Sequence, residues 1–135
     1  MYSKILVPVV FDEGHDTGAS FQAAQALASE GAEFTVLHVM EAIPSFVESQ
    51  IPSDVLAQTH DEVERLLKES AAGLPGAKTA LQAGHAGRFI VDFANENGFD
   101  CIVLASHKPG LENLFLGSTA DRVVRHAKCS VHVIR

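Results

Sequence analysis

No block of lysine or arginine occurs in this chain: 10 basic residues stand against 17 acidic ones, and the formal net charge is −7. Nucleic acids and anionic membranes are held through a positive footprint, so neither is expected as a main partner. Long apolar runs are missing too. The longest reach about seven residues, against the ~20 a membrane helix needs. The opening "MYSKILVPVV" has one lysine, then a strand-like run with a proline and no small-residue cleavage site. It is not read as a signal peptide, and a cytoplasmic protein is expected. The two cysteines, Cys101 and Cys129, have no CxxC partner; two buried, reduced thiols are expected. Seven histidines form neither HxxxH nor HExxH, so no metal site is expected. There is no GxSxG and no recognisable Ser/His/Asp arrangement, and no catalytic residue is assigned.

What is present is a globular composition, 47% apolar and 20% charged over 135 residues. One domain spanning 1–135 is expected. Five short apolar runs read as strands: "KILVPVV" (4–10), "FTVLHV" (34–39), "AKTALQA" (77–83), "CIVLA" (101–105) and "SVHVIR" (130–135). The first and fourth are nearly unbroken Val, Ile and Leu, the pattern of strands buried on both faces. The third is the most polar and is placed at a sheet edge. Helical periodicity fills the gaps at 18–29, at 53–71, around Phe89–Ala94 and around Ala120–Ala127. Gly98 suits a left-handed helix end. Ser118 is read as an N-cap with Asp121 as a weak capping-box partner. The connection "EAIPSFVESQIP" (41–52) is read as a surface loop. Strands alternating with helices imply an α/β fold with a parallel sheet and helices on both faces.

Ligands of such sheets sit beyond the carboxyl ends of the strands. After the fourth strand comes "ASHKPGLENLFLGS", which enters a helix through Gly117-Ser118. A helix start offers unpaired N–H groups to an anion, and glycine allows close approach. Ser118 and Thr119 add hydroxyls, and Ser106, His107 and Lys108 are placed to close over the same anion. Other residues have plainer readings. His38 is a satisfied core histidine and His126 a helix-end cation. Asp12, Glu13 and Asp16 form a solvated acidic loop, with Mg²⁺ on a nucleotide as the alternative. The face carrying Asp61, Glu62, Glu64 and Glu69 with Arg65 and Lys68 is an ordinary exposed helix surface.

Taken together, "KILVPVVFDE", "FTVLHVMEA", "AGHAGRFIVDFANENGFDCIVLASHKPG" and "LFLGSTADRVVRHAKCSVHVIR" resemble the universal stress protein family over the whole chain. The resemblance implies a Rossmann-like, adenine nucleotide alpha hydrolase-like fold with five parallel strands in the order 3-2-1-4-5. It implies a homodimer through the C-terminal strand and, for one branch, ATP at the switch point between strands 1 and 4. Pro8, Val9, Val10 and Val39 would then line the adenine. Ser106, His107, Lys108, Gly117, Ser118 and Thr119 would line the phosphates, and Leu104 and Ala105 would belong to the same nucleotide site. The chain departs from that branch's Gly-x2-Gly-x9-Gly-Ser/Thr motif: Ala105 stands at the first glycine, and Lys108-Pro109 lie at the second. It is similar instead to a short subgroup with Ala-Ser-His-Arg/Lys-Pro at this place. Val10 stands where the family has an aspartate near the ribose. Three readings follow. One is an ATP-binding dimeric stress-response regulator with at most slow hydrolysis, acting on an unidentified protein partner. The second is a nucleotide-independent dimeric interaction protein with a vestigial pocket. The third is an ATP-dependent ligase or pyrophosphatase, which would need a glycine-rich loop after strand 1 or a HIGH-type signature; "FDEGHD" is neither.

Overall fold

The computed structural model describes residues 1–10, 17–105 and 117–134. Its elements run β1 (Tyr2–Pro8), α1 (Thr17–Leu27), β2 (Ala28–Glu41), α2 (Ser45–Glu48), α3 (Ser53–Ala71), β3 (Lys78–Gly84), α4 (Ala86–Glu96), β4 (Cys101–Ala105), α5 (Ser118–His126) and β5 (Ser130–Ile134). The strands form one sheet in the order β3-β2-β1-β4-β5, with every pairing parallel. The polar third strand is at an edge, as its composition implies.

The unbroken apolar runs are explained by where alternate side chains go. Ile5 and Val7 of β1, Val36 of β2 and Cys101 and Val103 of β4 pack with Phe21 and Ala24 of α1 and Leu67 and Ala71 of α3. Leu6, Leu37, Ile102 and Leu104 point the other way, onto Ile90, Val91 and Ala94 of α4 and Ala120 and Val123 of α5. Along their apolar runs the central strands therefore feed two cores.

Several boundaries differ from the sequence reading. The helix expected to reach residue 29 stops at Leu27, and Ala28 pairs with Tyr2 as the start of a long β2. Gly31, at φ 77°, takes the left-handed turn, and the register shifts between Tyr2 and Lys4. The connection 41–52 contains the short helix α2. Pro44 opens it, its carbonyl accepting the Val47 and Glu48 N–H groups at 2.9 Å each. Gly98 does close α4, at φ 72°, and the Phe99 N–H reaches back to the Ala94 carbonyl at 3.1 Å, a Schellman closure. Along α3, Arg65 pairs with Glu62 and Glu69, and Lys68 with Glu64, the exposed ladder its sequence implies. Among the described residues no helix is long and apolar enough to cross a membrane.

Both thiols are free, Cys101 buried and Cys129 only half-buried, so the expectation of two buried thiols holds for Cys101 alone. Burial pushes the Cys101 thiol up to about 11, with Cys129 and Asp100 nearby adding to it. It stays protonated and is a poor nucleophile at neutral pH.

Candidate functional site

The carboxyl ends of β1, β2 and β4 lie side by side. Pro8 pairs with Leu37. The Val9 N–H continues the ladder by donating to the Leu37 carbonyl at 2.8 Å. His38 Nδ1 lies 2.8 Å from the Val9 carbonyl. His38 is thus a satisfied, half-buried histidine, and both main-chain groups of Val9 are engaged within the protein. Pro8 has no N–H to offer. The Val10 side chain is exposed and apolar.

Leu37 faces β1. In a parallel strand alternate residues turn their main-chain groups to the same neighbour, so Val39 also faces that side, beyond the last β1 partner. Its buried side chain packs with Leu104 and Ala120. Ala105, half-buried, ends β4. Ser106, His107 and Lys108 lie outside the described residues, as do Asp12, Glu13 and Asp16.

The start of α5 corrects one local reading. Gly117 is the N-cap and Ser118 the first helical residue, and no side chain caps this end. The Asp121 N–H donates to the Gly117 carbonyl at 2.8 Å. Asp121 is therefore one residue too far along for a capping box, and its carboxylate turns to Arg125 Nε at 3.0 Å. The N–H groups of Ser118, Thr119 and Ala120 precede the first intrahelical bond and point out of the helix end. Gly117 sits at φ −60° and ψ 153°, a conformation open to any residue. Backbone geometry does not demand a glycine there.

Beside this helix start lies a cleft of about 260 Å³ lined by Glu41, His85, Ala86, Gly87, Ser118, Thr119, Asp121 and Arg122. Ser118 and Thr119 were expected from the sequence; the others were not. His85 is the N-cap of α4, its Nδ1 accepting the Arg88 N–H at 3.2 Å. Gly84, at φ 146°, makes the turn off β3 that delivers it. The starts of α4 and α5 therefore meet above the end of β2, joined by the close packing of Gly87 on Arg122. A polar cleft built this way suits a small ligand with one anionic end.

The universal stress protein family model matches residues 1–135. The chain belongs to that family. Among curated relatives, universal stress protein A homolog 2 of Coxiella burnetii is 28% identical, covering 99% of this chain and 95% of its own length. Among solved structures, universal stress protein UspA from Lactobacillus plantarum is 31% identical, with a TM-score of 0.69, and covers 99% of this chain and 98% of its own. The structure of hypothetical protein MJ0577 superposes with a TM-score of 0.81 at 23% identity, covering 99% and 96%. Two more distant neighbours share the fold and carry nucleotides. One is a universal stress protein in complex with cAMP, at 22% identity and TM-score 0.69, covering 99% and 97%. The other is an Arabidopsis thaliana family protein with AMP bound, at 19% identity and TM-score 0.61, covering 98% and 90%.

Proposed function

We propose that this chain, as one domain over 1–135, binds an adenine nucleotide, ATP by preference, at the carboxyl end of its sheet. The observation that carries the proposal is the cleft itself. It is open rather than packed with side chains, and the first turn of α5 faces into it through Ser118 and Thr119. Gly117, Ser118 and Thr119, with Ser106, His107 and Lys108, take the phosphates and their Mg²⁺. The base lies toward Val39 and Val10, beside Pro8, Val9, Leu104 and Ala105. The cAMP and AMP complexes of fold neighbours support an adenine ligand. Hydrolysis is slow at most, because the sequence offers no identifiable general base or arginine finger. The nucleotide acts in the cytoplasm by biasing a conformation or a surface for a protein partner in a stress response.

Thermal unfolding tests this. ATP at a hundredfold excess over its dissociation constant stabilises by about 2.7 kcal/mol. The expected shift disappears in Gly117→Val and shrinks in Lys108→Ala, and titration with and without Mg²⁺ shows whether the metal contributes. An unshifted melt at millimolar ATP, with the variants folded, would leave the nucleotide-independent interaction protein in front. That second reading is favoured by one observation, the engagement of both Val9 main-chain groups.

The second part of the proposal is a homodimer through β5. This strand pairs only with β4 among the described residues, which leaves an edge able to pair with another chain. Light scattering is expected to give twice the chain's 14.4 kDa; a monomer at micromolar concentration would overturn this part alone.

A further inference from the structure

Two charged side chains in the cleft, Glu41 and Arg122, have no hydrogen-bond or ion-pair partner among the described residues. Their neighbours are satisfied: Asp121 is paired with Arg125, and His85 receives the Arg88 N–H. The two open groups belong to different elements. Glu41 is the last residue of β2, paired in register with Gly84. Arg122 lies in α5 with its aliphatic stem over Gly87. The cleft thus presents one unpaired acceptor from the sheet, and one unpaired cation beside the free N–H groups of a helix start.

A carboxylate repels a phosphate, so Glu41 is not a direct contact of the anionic end. An ionised carboxylate accepts hydrogen bonds only, and two adjacent hydroxyls match its two oxygens. The exposed side chain next to the end of β1, Val10, cannot accept a hydrogen bond. We infer that Glu41 is the specificity-determining acceptor for the vicinal hydroxyls of a ribose, while Arg122 pairs with the phosphate nearest the sugar. This rests on the nucleotide reading above and adds to it a choice of sugar. The ligand is a ribonucleotide, distinguished from its dideoxy analogue at β2 rather than at β1.

The test measures binding of ATP, 2′,3′-dideoxy-ATP and adenosine to the full chain and to Glu41→Gln, Glu41→Ala and Arg122→Gln, by calorimetry. The unmodified protein is expected to bind ATP about tenfold or more tightly over the dideoxy analogue, the scale of hydrogen bonds to a charged group. Glu41→Ala removes that preference by weakening ATP and leaving dideoxy-ATP unchanged, and Glu41→Gln gives an intermediate value. Arg122→Gln weakens ATP and leaves adenosine unchanged. Equal affinity of the unmodified protein for ATP and its dideoxy analogue overturns the proposal and leaves nucleotide binding intact. So does an equal loss for both ligands in Glu41→Ala, which would mark a general structural or electrostatic effect. If the unmodified protein binds none of the three, the nucleotide reading falls and this proposal with it. Melting curves without ligand establish that each variant is folded.

Discussion

Gly87→Val is expected to destabilise the protein by about 1–3 kcal/mol, the cost of forcing extra methyl groups into a close-packed contact. A Cβ at Gly87 would lie 2.8 Å from Arg122 Cδ and 3.2 Å from Arg122 Cβ. The Cδ contact relaxes if the arginine swings away. The Cβ contact relaxes only if α5 moves, because that atom is fixed to its backbone. Gly87 is also buried in the first turn of α4, and valine adds two methyls beyond Cβ with a restricted χ1. Alanine should cost less, since the better helix propensity of alanine over glycine, up to about 1 kcal/mol, offsets part of the clash. Urea denaturation of Gly87→Ala and Gly87→Val reads both values, provided the slope is unchanged. Because Gly87 and Arg122 both line the cleft, the valine variant should also lose any nucleotide-induced shift. Stability equal to the parent protein would mean that the two helices do not need the close approach.

The second large effect concerns the opposite end of the sheet. Asp100 immediately precedes β4 and ties it to the start of β1. Its carboxylate accepts the Ser3 N–H at 2.9 Å, the Ser3 hydroxyl at 3.0 Å and the Lys4 N–H at 3.0 Å. Its own N–H donates to the Lys4 carbonyl at 2.9 Å, and the Lys4 ammonium lies 4.8 Å over the Phe99 ring. Desolvation pushes the carboxyl up, but the Ser3 and Lys4 N–H groups and the Ser3 hydroxyl together outweigh it and hold it below its ordinary 3.8. Hydrogen bonds to a charged group contribute about 1.5–3 kcal/mol, so Asp100→Ala is expected to cost about 2 kcal/mol near neutral pH.

The sign of the pH dependence follows from the depressed value. The stabilisation is complete above the unfolded carboxyl's range, near 3.9, and is lost as pH falls through the lower folded value. The gap in stability between parent and Asp100→Ala should therefore be constant from pH 7 to about 5 and close below about 4. Urea titrations at pH 7, 5 and 3 would show it. A gap that persists undiminished at pH 3 would mean that the charge of Asp100 contributes nothing and the loss is one of shape.

Some of this molecule could be read directly along the chain. The runs "KILV" and "CIVLA" mark the central strands because residues buried on both faces have no polar alternate, and the lysine- and threonine-bearing third strand marks an edge. Gly98 marks the end of α4 because few other residues tolerate its φ of 72°. At Ser118 the local rule misled. Serine is the favoured cap type, yet Gly117 takes the position and Ser118, the first helical residue, lines the cleft instead. The break at Leu27 was equally hidden, since Ala28 fits the helical period but pairs with Tyr2 instead.

By itself, the sequence determined the alternation of strands and helices, which strands are central, and one segment at the entry to α5 rich in anion-binding residue types. These are local properties, set by side-chain period and by the conformations each residue allows. Only the tertiary structure decided that Glu41, His85, Gly87 and Arg122 share one cleft, because the ends of β2 and β3 and the starts of α4 and α5 are neighbours through the sheet order and not through the chain. The same holds for Val9, whose main-chain groups were spoken for by Leu37 and His38 only once β1 and β2 had paired. A residue's hydrogen-bonding capacity is written in its type; whether that capacity is still open depends on what the fold lays beside it.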